Sequence, residues 1–191
     1  MKKEILFATH NLDKLNEVRC LMPPNYILLG LNDIAWNIEI PEPFHTYEEN
    51  AKAKAYFIFD RTGISCFADD SGLEIDALNG RPGVFSARYA GEVTNSVKNI
   101  EKVLQELQDH DVRTARFQCF ISYISGQEQH SIFHGAVEGN ISYSPQGKGG
   151  FGYDPIFIPK GFDKTFGQLS DLIKNRISHR SIAVRKFIES L

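Results

Sequence analysis

The stretch Ala68-Asp69-Asp70-Ser71-Gly72-Leu73 sets two adjacent carboxylates between apolar runs. Ile64 to Ala68 leads in, and Leu73, Ile75 and Ala77 lead out. Both runs read as buried or half-buried strands. The Ser-Gly pair predicts a turn between them. Neighbouring side chains of a strand point to opposite faces, so Asp69 and Asp70 need not share an environment. Where a sheet opens, such a pair can hold a hard divalent cation or take a proton from water. The same residues equally suit a solvated turn in which Ser71 caps its own backbone.

A chain of 191 residues suits one domain, or two closely packed lobes, with ample material for a core. The net charge of -3 argues against general nucleic-acid affinity. Cys20, Cys66 and Cys119 lie far apart in apolar runs with no CxxC pair, which predicts buried thiols in a reducing compartment. Met1-Lys2-Lys3-Glu4 leads into a short strand rather than a signal-peptide core, and no apolar run reaches membrane length. These features predict a cytoplasmic protein without a membrane partner.

Strands and helices alternate along the chain. Ile5 to Ala8 predicts a first strand, and Leu15, Val18, Leu21 and Met22 a helix stopped by Pro23-Pro24. A second strand follows at Tyr26 to Leu29. Thr46 and Glu49 form a capping box that opens a helix ending at Gly63. Val97, Ile100, Val103, Leu104 and Leu107 mark an amphipathic helix. Ala115 to Tyr123 alternate as a long strand, with a hairpin turn at Ser125-Gly126, a partner strand around Ile132-Phe133, and a further strand around Ile141. Ser178 can cap a last helix through Ile182, Phe187 and Leu191. The pattern is a mixed α/β fold.

Several stretches could hold phosphate. At Thr9 to Lys14 a strand runs into a helix start, where unpaired N–H groups and the dipole favour anions. Asn11 can cap that helix, and Lys14 brings a positive charge into its first turn. Asn50 and Lys54, one turn apart, share a helix face. Gly147-x-Gly149-x-x-Gly152 satisfies the dinucleotide fingerprint, but Pro155 opposes the helix that a Rossmann unit needs there. The segment equally suits a flexible hairpin connection and a loop whose backbone approaches a ligand closely, with Phe151 or Tyr153 available for stacking. Lys174 to Arg180 is a basic cluster whose His179 and Arg180 lie in a first helical turn, against the dipole. Arg88 reads as a structural ion-pair former.

Taken together, Thr9-x-Asn11-x-x-Lys14, Thr46-Tyr47-x-Glu49-Asn50-Ala51-x-x-Lys54-Ala55, Ala68-Asp69-Asp70-Ser71-Gly72-Leu73, Pro82-Gly83-x-x-Ser86-Ala87-Arg88-Tyr89, Gly149-Gly150-Phe151-Gly152-Tyr153-Asp154-Pro155 and Ser178-His179-Arg180 occur in that order. The chain resembles the inosine triphosphatase family over nearly its whole length. The resemblance implies an elongated mixed α/β fold with two lobes around a central cleft, usually a homodimer. It implies hydrolysis of ITP, dITP or XTP to the monophosphate and pyrophosphate with Mg2+. Thr9, His10, Asn11, Leu12, Asp13 and Lys14 would then grip the phosphates, together with Lys54. Asp70 would act at the metal and the attacking water, with Glu42 as a second metal carboxylate. Ser71, Phe151, Gly152, Tyr153, Asp154, Lys174, His179 and Arg180 match substrate-binding positions, His179 and Arg180 as donors to the base. Family members often read Ala-Glu-Leu and an acidic pair ahead of Lys-Asn. This chain has Gly167-Gln168-Leu169 and Leu172-Ile173 there, so the surroundings of Lys174 depart from the pattern.

Overall fold

Six strands follow the order β2-β1-β3-β4-β5-β6 in one sheet: β1 (Lys3–Phe7), β2 (Tyr26–Gly30), β3 (Cys66–Ile75), β4 (Thr114–Gly126), β5 (Gln129–Ile141) and β6 (Phe157–Pro159). The helices are α1 (Leu12–Arg19), α2 (Tyr47–Thr62), α3 (Ser96–Glu106), α4 (Asp171–Ile177) and α5 (His179–Ile188). They come from a computed structural model that describes residues 2–126 and 129–191. The mixed α/β class is as expected. The chain divides into two units, one of Met1–Asp70, Cys119–Gly135 and Arg180–Leu191, the other of Ser71–Gln118 and Ala136–His179.

In the first unit β1 pairs in parallel with β2 (Lys3 opposite Tyr26, Phe7 opposite Gly30) and with β3 (Leu6 opposite Cys66, Phe7 opposite Phe67). Parallel neighbours need crossovers, and α1 and α2 lie within those connections. Both faces are buried, so the period of two sorts side chains between two cores. Ile5, Phe7 and Phe67 pack with Leu15 and Val18 of α1 and with Ala183, Val184 and Phe187 of α5. Leu6, Ala8, Cys66 and Ala68 pack with Ala55 and Ile58 of α2. The aromatic rings of Phe7 and Phe67 stack at 4.5 Å, and Phe187 closes on Phe67 at 4.7 Å. Both central helices have the expected N-caps. Asn11 Oδ1 accepts from Lys14 N at 3.0 Å, and Thr46 Oγ1 accepts from Glu49 N at 3.2 Å. Gly63 ends α2 in the left-handed conformation, φ 66°.

The second unit gathers Leu73, Ile75, Ile100, Val103, Leu107, Phe117, Ile156, Phe157 and Phe166 around one core. Here β5 and β6 run antiparallel, with Asn140 opposite Ile158. Buried Arg113 gives its guanidinium to three carbonyls, Leu107 O, Ile141 O and Ser142 O, tying the end of α3 to the strands.

Four expectations need correction. The turn predicted at Ser71-Gly72 is absent: β3 runs unbroken from Cys66 to Ile75, because side chains of neighbouring elements satisfy both carboxylates inside the strand. The strands predicted around Ile132 and Ile141 are one strand, β5. The predicted hairpin residues Ser125 and Gly126 belong to β4, and the connection beyond them lies outside the described residues. Helix α1 stops at Arg19, before Leu21 and Met22, which leaves Cys20 exposed at its end while Cys66 and Cys119 are buried.

Phe187 joins α5 to β3, so truncating it should weaken the frame that carries the first unit's charged groups. Phe187→Ala is expected to lower unfolding free energy by about 3–5 kcal/mol in urea titration followed by circular dichroism.

Candidate active site

The strand period decides the chemistry of the paired acids. Asp69 follows Phe67 onto the α1 and α5 side, and Asp70 follows Ala68 onto the α2 side. Asp69 Oδ1 accepts from Lys14 Nζ at 2.8 Å and Asp69 Oδ2 from Arg180 Nε at 3.2 Å. Arg180 also gives Nη1 to Glu17 Oε2 at 2.5 Å. Arg180 is 2% exposed, so its place in a first helical turn, against the dipole, is compensated by two carboxylates at contact distance.

On the other side Asp70 Oδ2 accepts from Asn50 Nδ2 at 3.1 Å. The Lys54 ammonium lies 2.5 Å from Glu42 Oε1 and 3.6 Å from Asp70 Oδ1. Asn50 and Lys54 reach Asp70 together because they stand one turn apart on α2. Asn50 also braces the Glu42 segment, exchanging hydrogen bonds with Phe44 N and Phe44 O. At the start of α1, Thr9 Oγ1 accepts from Asn11 N, and His10 Nδ1 meets Asn32 Oδ1 at 3.0 Å. Leu12 and Asp13 are exposed.

The second unit holds the other group of predicted residues. Asp154 Oδ2 accepts from Lys174 Nζ at 2.6 Å and from Phe151 N at 2.8 Å. That contact answers the departure at Leu172-Ile173: the carboxylate against Lys174 comes from the glycine loop. Gly150 sits at φ 70°, and a Cβ there would stand 2.0 Å from Asp154 Oδ2. Only glycine permits the clamp. Phe151 is half-buried, with Lys174 Nζ 4.7 Å from its ring centre. Tyr153, a candidate for stacking, is instead buried and donates its hydroxyl to Ser86 O at 2.8 Å. His179 stacks on Phe117 at 4.7 Å. Ser71 follows Asp70 in β3 and is half-buried, as is Gly152 in its loop. The glycine loop leads to a 3-10 turn (Asp154–Ile156) and then β6, which bears out the rejection of a Rossmann unit. Arg88 lies over the Phe85 ring at 5.5 Å.

Glu17 was missed by sequence reasoning. Its signal was the spacing Lys14-x-x-Glu17, which puts both side chains on one face of α1.

The Ham1 family model matches residues 5–190. The chain belongs to the Ham1 family. It is 45% identical over 188 residues to the dITP/XTP pyrophosphatase of Christiangramia forsetii, covering 98% of each chain. It is 46% identical over 192 residues to the dITP/XTP pyrophosphatase of Bacillus subtilis, covering 99% of this chain and 97% of the relative. Among solved structures it is similar to the Staphylococcus aureus Ham1 protein, with TM-score 0.89 and 40% identity over 98% of this chain and 97% of that one.

In this Ham1 chain the two neighbouring acids are tuned apart. Burial would raise the Asp69 carboxyl, but Lys14, Arg180 and Lys54 outweigh it and hold the group well below the usual carboxylate range. Burial raises Asp70, and Glu42 adds to the rise against Lys54 and Lys14. Lys54 cannot fully offset this, since it sits closer to Glu42 than to Asp70. Burial pulls Lys54 itself down, yet Asp70, Glu42 and Asp69 hold it above the ordinary lysine range. Asp69 is thus a fixed anion, and Asp70 the more basic of the two.

A carboxyl raised by folding stabilises the protein below its unfolded value, near pH 4, and loses that contribution as pH rises through the folded value. Ionised Asp70 therefore costs stability at neutral pH. Asp70→Asn should raise the urea midpoint at pH 7, and the gain should shrink as pH falls toward the unfolded value. Equal midpoints at pH 7 would remove the argument.

Proposed function

We propose that the chain hydrolyses non-standard purine nucleoside triphosphates (ITP, dITP and XTP) to the monophosphate and pyrophosphate. The observation that carries this is the division of labour at Asp69 and Asp70. One carboxylate is locked among cations, while its neighbour is raised and stands beside a lysine and a second carboxylate. A site that only bound phosphate would gain nothing from Asp70's charge. The full-length match to relatives named dITP/XTP pyrophosphatases supports the same reading.

In this reading Lys14 and Lys54 neutralise triphosphate oxygens, and the N–H groups at the start of α1 donate hydrogen bonds to them. Asp70 takes a proton from water, whose oxygen attacks the α-phosphorus. The bond from that phosphorus to the oxygen bridging to the β-phosphorus breaks, and pyrophosphate leaves with the electron pair. Glu42 and Asp70 fit magnesium, which takes one or two carboxylates and completes its shell with water and phosphate oxygens. The approach of one ammonium to both carboxylates supports placing a cation there. Bound there, magnesium would polarise the phosphates and lower the cost of charge on the leaving group.

Arg180 serves as a positioning residue for Asp69, given its ion pairs. Phe151, Lys174, Asp154 and His179 are assigned to the base. Donors directed at the carbonyl of hypoxanthine or xanthine would be left opposite another donor by adenine, a mismatch of roughly 10²–10⁴-fold in kcat/KM. The reading includes a homodimer, by resemblance to the family, and the cytoplasm, whose reducing conditions suit the three free thiols.

The deciding assay compares ITP, dITP, XTP, GTP and ATP with magnesium while resolving pyrophosphate from orthophosphate. ITP, dITP and XTP should give pyrophosphate and monophosphate together, with label from heavy-oxygen water in the monophosphate. Orthophosphate as primary product would sink the proposal. Asp70→Asn should lower kcat by on the order of 10²-fold or more, with the fold intact by circular dichroism.

A further inference from the structure

Lys54 meets both acids assigned to the metal. It enters from α2, 7% exposed, with its ammonium 2.5 Å from Glu42 Oε1 and 3.6 Å from Asp70 Oδ1. Lys14 pairs with Asp69 and bears on Asp70 only through its charge, and Arg180 pairs with Asp69 and Glu17. Asn50 approaches Asp70 as a neutral donor. A divalent cation on Glu42 and Asp70 would meet the Lys54 charge at the same oxygens. Two cations sharing those oxygens in a buried setting repel strongly.

We propose that Lys54 is an internal counter-ion that keeps Glu42 and Asp70 closed to a divalent cation until triphosphate oxygens draw its ammonium away. The inference rests on the proposed function in one respect, the assignment of Glu42 and Asp70 to the metal. The substrate supplies what the exchange requires. Its oxygens give Lys54 a new anionic partner, and they complete the shell of the incoming cation. Metal and triphosphate therefore bind as a coupled pair, each raising the affinity for the other by the same factor. A cation without nucleotide binds poorly because it must leave a buried ammonium without its carboxylates.

The test measures binding rather than turnover. Manganese is titrated into the metal-free full-length protein without nucleotide, and the unbound ion is followed by electron paramagnetic resonance. Lys54→Met should bind manganese at least about tenfold more tightly than wild type, and Lys54→Arg should stay near wild type. The gain should vanish when Glu42→Gln is added to Lys54→Met. In thermal melts manganese should raise the Tm of Lys54→Met well beyond its effect on wild type. Equal affinity in Lys54→Met and wild type overturns the inference, as does a gain that survives Glu42→Gln. A Lys54→Met protein that stays unfolded in saturating manganese also overturns it, since the dication is argued to replace the ammonium at those oxygens. The two readings fail separately. Pyrophosphate release from ITP by wild type, with no gain in Lys54→Met, discards the counter-ion and leaves the hydrolysis standing.

Discussion

Carboxylate–cation pairing at Asp69 governs the first unit. A strand with both faces buried gives an ionised acid no water, and an isolated buried carboxylate would be prohibitively costly. Lys14 from α1 and Arg180 from α5 meet it from two elements, and Glu17 takes the remaining demand of the guanidinium. That pairing is paid for in full only if α1, β3 and α5 are docked together. The aromatic contact of Phe67 with Phe187 provides the docking. The ion pairs then fix where Lys14 stands, and with it the start of α1. Removing one partner of such a buried pair typically costs about 3–5 kcal/mol, because the other charge is stranded. Charge and apolar packing are therefore one construction.

Asp70 gains its chemistry from the same alternation. One residue further along β3 the side chain emerges on the α2 face, where a single ammonium is shared by two carboxylates. A fully compensated acid is a poor proton acceptor, and an uncompensated one unfolds its surroundings. Asp70 sits between these limits, held by Asn50 and partly offset by Lys54. In the proposed hydrolysis, that incomplete neutralisation is a trade between stability and activity.

Much of this frame was legible beforehand. The hydrophobic periods of β1, β2, α2 and α3, and the caps at Asn11 and Thr46, are local properties and came through. The turn at Ser71-Gly72 did not, since composition favours a turn wherever acids, serine and glycine meet. Its absence depends on partners 55 and 111 residues away from Asp69, which no local window contains. Helix α4 was unread because its few apolar residues include Leu172, which is exposed. For the candidate site residues, resemblance offers the positions, and the partners of each come from the structure. Tyr153 shows the difference, for an aromatic in a glycine loop suggests stacking while its hydroxyl is engaged in the core by Ser86.

The neighbours His179 and Arg180 extend the argument from β3 to a helix start. Sequence offers them as a matched pair of donors, yet successive helical residues turn by about 100°. His179 stacks on Phe117 in the second unit, and Arg180 is engaged by Asp69 and Glu17 in the first. Held by two carboxylates, Arg180 sets the geometry of the acid that holds Lys14. In the second unit Gly150 admits the Asp154 carboxylate, and Asp154 in turn holds Lys174 against Phe151. A glycine, an acid, a lysine and an aromatic ring form one clamp there. The absent Cβ is what allows it to close.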